Sequence, residues 1–284
     1  MNGQLRYVTA AAVTIALLFA AAAPAPGAKP AASGAPAQAG KIRVLVVTGG
    51  HKYDKKVFPR IFTGHDDMQV TFHEHKKGRP HLFDDVSAWA HDVMVLYNFK
   101  QRLSTAQRAN FIKLLERGVG LVVMHHAIAA YSEWREYPKI IGATYVLRKG
   151  VVRDGVKYER PVWKHGVKMK LHIEDPTHPI TAGLADYEIV DETYKKWTYH
   201  KGNHLLISTD CPLNNRQIAW TRTYAKARVF FHQIGHGPGI FKDKTYRTLI
   251  ARGIRWTARR LGDKTDPAAQ AAGAGDKSSV VGSR

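Results

Sequence analysis

Four short segments in the first half of the chain have the hydrophobic pattern of β-strands. Residues 41–48, 93–97 and 121–124 are nearly continuous apolar runs, typical of strands buried on both faces of a parallel sheet. Residues 69–75 alternate apolar and polar positions, as a strand does when one face is less buried. Two glycines directly after the first strand predict a tight turn there, followed by a helix.

Apolar residues at helical spacing predict the helices between and after these strands. The clearest helix begins at Ser104, where the sequence Ser-Thr-Ala-Gln is a capping box, and it ends at Gly118. A shorter helix is predicted over residues 134–141, and residues 84–90 are helical or irregular. The last helix, residues 243–260, places an apolar stripe towards the core, which comprises Tyr246, Leu249, Ile250, Ile254 and Trp256.

The second half of the chain has strands with more polar and aromatic positions, which indicates antiparallel or mixed pairing. These strands cover residues 168–174, 187–190, 205–208, 217–221 and 228–233. Strands that alternate with helices on short connections predict an α/β fold with a doubly wound, mostly parallel sheet and additional mixed strands. We expect the strand 121–124 to lie centrally in that sheet.

The two ends of the chain differ in composition from the middle. Arg6, an apolar run over residues 8–23 and small residues up to 28 predict a secretory signal peptide over residues 1–28, with an uncleaved anchor as the alternative. Residues 29–40 are predicted to be a flexible leader, 41–261 one domain and 262–284 a disordered tail. We therefore expect a periplasmic or secreted protein without a stable membrane anchor after cleavage.

The charge and the cysteine content narrow the classes of function. Lys and Arg exceed Asp and Glu by 43 − 23 = 20, but the excess is spread along the chain and no nucleic-acid-binding module is evident, so no specific nucleic-acid partner is predicted. Cys211 is the single cysteine, which excludes an intramolecular disulfide, and it has no catalytic signature around it. The oligomeric state stays open.

Histidines next to glycines or at a predicted elbow follow three of the predicted strands. His51 follows Gly49-Gly50, His125 follows the strand 121–124, and His236 lies between two glycines. The carboxyl ends of the strands in an open α/β sheet form its binding crevice, so we expect these three imidazoles to converge there. Separate structural histidines, each satisfied by its own hydrogen bonds, are the alternative.

Three pairs of nearby residues have side chains suited to such a crevice or to a metal. At a strand-to-helix elbow, His125 is held at the apex and His126 supports it, so His125 is ranked first as the direct participant. Glu192, next to Asp191 and close to aromatic residues, is a general base, a ligand of sugar hydroxyls or an ordinary surface acid. The pair His73 and His75 has metal-compatible spacing, but a solvated strand is favoured there.

The same segments resemble the ThuA-like (trehalose-utilisation) family in five short motifs. These are Val-Leu-Val-Val-Thr-Gly-Gly-His up to His51, Gly-Leu-Val-Val-Met-His-His-Ala up to Ala127, His178-Pro-Ile with Gly183-Leu184, Asp-Glu-Thr-Tyr up to Tyr194, and Arg-Val-Phe-Phe-His-Gln-Ile-Gly-His up to His236. The resemblance implies a class I glutamine amidotransferase-like fold, a flavodoxin-like three-layer arrangement, with His125 in place of the nucleophilic cysteine. Without a thiol there, amidotransferase chemistry lacks its nucleophile.

Two functions of different classes follow from the residues and the resemblance. The first is an exported hydrolase or lyase of glycoside or keto-sugar (trehalose-related) catabolism, whose partner is a small-molecule carbohydrate. The second is a non-catalytic carbohydrate-binding or cell-envelope protein on the same fold. Tryptophans and tyrosines stack on sugar rings in either case, so aromatic content does not separate the two.

The enzyme hypothesis assigns roles to individual residues. The catalytic residues are His125, His126 and Glu192. The substrate-binding residues are Gly50, Tyr131, Trp134 and Tyr194. A divalent metal such as zinc, if one is used, is held by His51, His125 and His236, and acid–base catalysis without a metal is the alternative.

Overall fold

The computed structural model describes residues 40–76 and 79–262, which contain thirteen strands and four α-helices. The strands are β1 (Ile42–Gly49), β2 (Met68–Glu74), β3 (Val93–Asn98), β4 (Gly120–Met124), β5 (Ala143–Thr144), β6 (Val151–Arg153), β7 (Val156–Tyr158), β8 (Val162–Ile173), β9 (Tyr187–Lys195), β10 (Thr198–Tyr199), β11 (His204–Thr209), β12 (Gln217–Tyr224) and β13 (Ala227–His232). The helices are α1 (Thr105–Glu116), α2 (Tyr137–Ile141), α3 (Pro238–Lys242) and α4 (Lys244–Thr257).

Nine of these strands form one sheet in the order β2-β1-β3-β4-β13-β12-β11-β8-β9. The five strands β2, β1, β3, β4 and β13 run parallel to one another. The remaining pairs, β13 with β12, β12 with β11, β11 with β8 and β8 with β9, are antiparallel. β4 therefore lies between two parallel neighbours, as its apolar sequence predicts. The prediction of a mostly parallel sheet extended by mixed strands is confirmed.

The sequence signals for helix ends are accurate where a side chain caps the helix. In α1, the Ser104 hydroxyl accepts a hydrogen bond from the Gln107 backbone N–H at 3.2 Å, and the Gln107 side chain accepts one from the Ser104 N–H at 2.8 Å. Asp243 caps α4 by accepting from the backbone N–H of Tyr246 at 2.7 Å. Both capping arrangements satisfy N–H groups that have no partner within the helix.

Two predicted helices differ from the structure. The segment after β1 forms only a 3₁₀ helix, Phe58–Phe62, and not a full α-helix. The predicted helix 134–141 is shorter, because α2 begins at Tyr137 with Pro138 in its first turn. A proline in the first turn has a backbone angle that suits a helix start and lacks the N–H that would bond to a preceding turn. The segment 84–90 is irregular, one of the two alternatives.

Each face of the large sheet is covered by its own apolar cluster. Helices α1 and α2 cover one face, where Phe111, Leu114 and Ile140 are buried. Helix α4 and the 3₁₀ helix cover the other, where Leu249, Ile254 and further apolar side chains are buried. The result is the three-layer α/β arrangement predicted from the sequence.

Two smaller two-stranded sheets accompany the large sheet. β5 pairs with β10, and β6 pairs with β7 in a short hairpin, neither of which the sequence pattern predicts. The predicted signal peptide and, apart from Gly40 and Gly262, the leader and tail lie outside the described residues. Within the described part of the chain, no helix is both long and apolar enough to cross a lipid bilayer.

Candidate functional site

His125 is the first residue after the central strand β4, and its backbone turns sharply there. Its φ angle is +52°, in the left-handed region, and a 3₁₀ helix, His125–Ala129, follows. A non-glycine residue in this region costs on the order of 1–3 kcal/mol, and such strain is concentrated at functional sites. The side chain is completely buried. The fold therefore holds this imidazole in a defined position beneath the surface.

The hydrogen bonds of His125 define which ring nitrogen carries the proton. Nδ1 lies 2.8 Å from the backbone carbonyl oxygen of Gln233, which only accepts, so Nδ1 is the donor. Nε2 faces the opposite way, 3.1 Å from Oε2 of Glu192 and 3.0 Å from the Tyr194 hydroxyl. Burial raises the pKa of Tyr194 well above its ordinary value, so its hydroxyl keeps its proton.

His236 follows β13 and reaches the same point from a neighbouring strand. Its Nδ1 lies 3.2 Å from Oε2 of Glu192 and 3.3 Å from Nε2 of His125. The hydrogen bond with Glu192 raises the pKa of His236, against the opposing effect of burial. The side chain is about one-third exposed. His236 is therefore the accessible member of the group.

Two adjacent acidic residues of β9, Asp191 and Glu192, are both buried. Burial by itself would raise the pKa of Glu192, but hydrogen bonds from His125 and His236 outweigh it, and the pKa lies below its ordinary value. Asp191 accepts backbone N–H bonds from Gly235 at 2.7 Å and His236 at 3.1 Å, and burial raises its pKa. Neither is the ordinary surface acid that the sequence left as an alternative for this pair.

His51 and His126 form a second imidazole pair beside this group. Their rings stack with centroids 4.5 Å apart, and the His51 ring centroid lies 6.1 Å from that of His236. His51 Nδ1 donates to the Lys52 carbonyl oxygen at 2.7 Å, and His126 Nε2 donates to the Tyr97 carbonyl oxygen at 3.2 Å. Desolvation lowers the pKa of both histidines, that of His126 strongly, so both rings are neutral near pH 7.

A cavity of about 360 Å³ opens beside these residues. Its wall combines three imidazoles, one carboxylate, four aromatic rings, two cations and three apolar side chains. These are His51, His126 and His165; Glu192; Phe99, Tyr145, Trp163 and Tyr194; Lys100 and Arg160; and Val146, Leu147 and Pro161. Trp163 is 50% exposed, and the Arg160 guanidinium lies 5.8 Å from the centre of its ring. Glu192 and His236 also line a smaller adjacent space of about 160 Å³.

The structure brings together most of the residues predicted to form the site, with one change in the central group. One ligand atom each from His125, Glu192 and His236 lies within 4.8 Å of the other two, and this is the one such group of three among the described residues. His51, predicted as a third metal ligand, lies outside that group. The predicted pair His73 and His75 forms no such group either, although their rings are 5.2 Å apart.

The structure places Tyr131 and Trp134, predicted as substrate-binding residues, in the core and not at the cavity. Both side chains are buried in the apolar cluster around α1, where each contacts the ring of Phe111. Their aromatic character serves packing, since neither lines the cavity. Tyr194 does line it. Gly50 is next to the cavity residue His51, and its role is steric: a Cβ atom at this position would overlap the carbonyl oxygen of Phe99.

Sequence reasoning missed His165, which lies in β8 at the same site. Its Nδ1 is 3.3 Å from Oε1 of Glu192, and its ring centroid is 4.5 Å from that of His236. His165 precedes Gly166, which has a φ of +65° within a register shift of the β8–β9 pairing. The signal that pointed to His51, a histidine beside a glycine, is therefore present at His165, but inside an antiparallel strand and not at a parallel strand end.

Comparisons with known proteins support the same fold. The structure aligns with a ThuA-like protein from Parabacteroides merdae at a TM-score of 0.64 and 20% identity over 79% of this chain and 93% of that chain. A ThuA-like protein from Bacteroides uniformis gives a TM-score of 0.54 at 19% identity over 79% and 94%. A cytoplasmic protein from Salmonella typhimurium gives a TM-score of 0.53 at 11% identity over 75% and 98%.

Sequence comparison identifies the family. No curated protein sequence gives a significant match. The family model ThuA, described as trehalose utilisation, matches residues 43–257, which is nearly the whole described domain. The glutamine amidotransferase-like fold implied by the sequence motifs is confirmed. The chain therefore belongs to the ThuA family of trehalose utilisation.

Proposed function

We propose that this protein is an enzyme of glycoside or keto-sugar catabolism related to trehalose, and that its reaction takes place at His125, Glu192 and His236. The observation that carries this proposal is the Glu192 carboxylate, which is buried, contacts three imidazoles and lines a cavity large enough for a small ligand. Perturbed titratable groups that converge on a cavity are characteristic of active sites. Membership of the ThuA family supports the substrate class.

The cavity wall has the features that a carbohydrate requires. The half-exposed ring of Trp163 offers an apolar face against which a sugar ring packs. Lys100 and Arg160 present donors for sugar hydroxyls, and the described residues include no ion-pair partner for either. A polar ligand with an apolar ring face therefore fits this cavity better than a fully apolar one.

A keto sugar gives these groups a defined chemistry. The C–H bond next to a ketone is acidic, and the neutral His51 ring, whose Nδ1 donates to the Lys52 carbonyl, has a free Nε2 that accepts this proton. The electron pair moves to the ketone oxygen, whose negative charge is stabilised by hydrogen-bond donation from His236, because Glu192 raises the pKa of that ring. When the pair returns, the glycosidic C–O bond breaks, a C=C bond forms, and the departing oxygen takes a proton.

Amidotransferase chemistry does not fit this site. In the amidotransferases a cysteine at the elbow attacks glutamine, whereas this chain has His125 at that position. Cys211, the single cysteine, follows β11 and does not line the cavity. The site therefore lacks the thiol on which a thioester would form.

Export from the cytoplasm is also part of the proposal. The support is Arg6, followed by the apolar run 8–23 and the small residues up to 28. N-terminal sequencing of the protein from its native host is expected to find a start between residues 24 and 29, in a fraction outside the cytoplasm. An intact Met1 in the cytosolic fraction would contradict export without affecting the catalytic proposal.

Turnover of a keto glycoside tests the enzyme function. The purified protein is incubated with trehalose and with its 3-keto derivative, and the released sugars are separated by chromatography. Glu192→Gln is expected to lower the rate by about 10²–10³-fold, the usual cost of losing a donor to an oxyanion, because Glu192 is the group that raises the pKa of His236. Glu188→Gln is the matched control, because Glu188 lies on the same strand with a side chain 60% exposed. Binding of either sugar without turnover would favour the carbohydrate-binding protein instead.

A further inference from the structure

Three potential ligand atoms at the centre of the site form a nearly equilateral triangle. Nε2 of His125 lies 3.1 Å from Oε2 of Glu192 and 3.3 Å from Nδ1 of His236, and this Nδ1 lies 3.2 Å from Oε2. The three atoms come from β9 and from the residues that follow β4 and β13. Three separate chain segments thus direct one atom each to a common point.

The contacts of His125 direct one ring nitrogen to the centre of the triangle. Nδ1 donates to the carbonyl of Gln233, so Nε2 is the ring atom that faces Glu192 and His236. The Tyr194 hydroxyl lies 3.0 Å from Nε2 and adds a fourth polar atom at this point.

The surroundings of the triangle resemble the outer contacts of a metal site. Ligating histidines typically donate their second N–H to a carbonyl or carboxylate, which orients the ring, as the Gln233 carbonyl does for His125. Asp191 holds the backbone of His236 through its N–H group. Two of the ligand side chains, His125 and Glu192, are almost fully buried. The group is therefore held in place before any ion binds.

From this geometry we infer that His125, Glu192 and His236 bind one divalent transition-metal ion, with zinc as the best fit. Tetrahedral ligands at about 2.0–2.1 Å from zinc lie about 3.3 Å from one another, which agrees with the sides of the triangle. An ion at that distance from all three atoms lies about 1 Å above their plane. Two imidazoles and a carboxylate are a zinc ligand set, whereas magnesium and calcium favour oxygen ligands.

The position of the site leaves room for a fourth ligand. Glu192 lines the large cavity, and Glu192 with His236 lines the smaller space beside it. A water molecule or a substrate oxygen completes the coordination from there, which is the arrangement of catalytic zinc sites. The inference concerns the same site as the proposed function and deepens it, but metal binding is measured without any sugar, so each of the two can fail alone.

A hydrogen-bonded group of His125, Glu192 and His236 that holds no ion is the competing explanation of the same distances. It requires no metal. The two explanations differ in a quantity that can be measured directly, the affinity of the folded protein for Zn²⁺.

Zinc affinity of matched variants tests the inference. The full chain, freed of any affinity tag and stripped with a chelator, is titrated with Zn²⁺ in competition with a chromophoric chelator. Glu192→Gln and His236→Ala remove ligands, with His236 partly exposed and therefore tolerant of substitution. His51→Ala removes a neighbouring imidazole outside the triangle, and His204→Ala removes an exposed histidine on β11. Thermal unfolding of each apo variant verifies that it folds.

We expect the unmodified protein to bind one equivalent of Zn²⁺ and to unfold at a higher temperature when zinc is present. Glu192→Gln and His236→Ala are each expected to weaken Zn²⁺ affinity by about 100-fold or more. Loss of a residue that only hydrogen-bonds a metal ligand costs about 10–100-fold, and loss of the ligand itself costs at least as much. His51→Ala and His204→Ala are expected to stay within about threefold of the unmodified protein. Equal affinity in the unmodified protein and both ligand variants, or an equal loss in His51→Ala, would overturn the inference.

Discussion

The Oδ1 atom of Asp191 accepts a hydrogen bond from the backbone N–H of His236 at 3.1 Å, while its Oδ2 atom accepts one from Gly235 at 2.7 Å. Strand β9 thus supplies both Glu192, whose carboxylate contacts the His236 ring, and the acceptor that holds the His236 backbone. The two consecutive residues therefore differ in their contacts. Glu192 contacts the imidazoles of His125 and His236, whereas Asp191 holds the backbone of the loop that carries His236.

Replacement of Asp191 by asparagine is expected to destabilise the protein and displace His236. The amide keeps one acceptor and presents a donor to a buried N–H group, which costs about 1–3 kcal/mol of unfolding free energy. Urea denaturation measures this loss. Asp186→Asn is the control, because Asp186 also accepts a backbone N–H, from Ile173 at 2.9 Å, but its side chain is 40% exposed. Equal losses in both variants would show that the buried Asp191 contacts have no special weight.

Replacement of Gly50 by alanine tests the steric role of the turn before His51. Gly50 and Gly64 both have left-handed backbones, with φ of +79° and +81°, so alanine at either position carries a similar backbone strain. Only at Gly50 does a Cβ atom overlap another group, the Phe99 carbonyl, whereas none lies within 4 Å at Gly64. We expect Gly50→Ala to lose about 1–3 kcal/mol more unfolding free energy than Gly64→Ala. Equal values in urea denaturation would contradict the overlap.

Replacement of Trp163 by alanine is expected to weaken sugar binding without affecting the fold. The ring is 50% exposed at the cavity, so its removal leaves the core intact but takes away an apolar face worth about 1–1.5 kcal/mol to a bound sugar. Calorimetric titration with the keto sugar is expected to show roughly tenfold lower affinity. Phe72→Ala, at 46% exposure on the edge strand β2, is the matched control. The same loss in both variants would show that the cavity does not bind the sugar through Trp163.

The buried His232 predicts a loss of stability in acid. Burial lowers its pKa from the ordinary value of 6.5 to about 3, so the folded protein keeps the ring neutral where the unfolded chain protonates it. Between these two values the unfolded state binds more protons, and the free energy of unfolding therefore falls as the pH falls from about 6.5 towards 3. One such group contributes up to about 1.4 kcal/mol per pH unit in that window and nothing above it.

His232→Leu is expected to flatten the dependence of stability on pH. Urea denaturation of both proteins between about pH 7 and pH 4.5 measures the difference in slope. Other histidines keep some slope in the variant, among them the half-buried His75, whose pKa desolvation also lowers to about 3. Parallel curves for the two proteins would mean that His232 does not take up its proton on unfolding in this range.

Local patterns in the chain were sufficient to locate most strands and helices. The apolar runs identified β1, β3 and β4 within one or two residues, and the capping box at Ser104 identified the start of α1. These signals are local, because side-chain periodicity and helix capping depend on neighbours a few residues apart. The short elements β5 and β10 had no such signal, since pairs of two residues are formed by their tertiary surroundings.

The composition of the site depended on contacts between distant segments. The rule that strand ends share one edge was enough to select His125 and His236, which come from neighbouring parallel strands. It also selected His51, which contacts His126 instead of joining the central triangle. Glu192 and His165 come from antiparallel strands at the far side of the sheet, where no rule about strand ends applies.

The sequence by itself determined the α/β class, the family motifs and the identity of His125 at the elbow, because each rests on residues close together in the chain. Only the tertiary structure decided that Glu192, and not His51, completes the group with His125 and His236, and that Tyr131 and Trp134 belong to the core. The physical reason is that burial and ligand geometry follow from how β8 and β9 pair and pack against the parallel half of the sheet. That pairing joins residues too far apart along the chain for any local pattern to record.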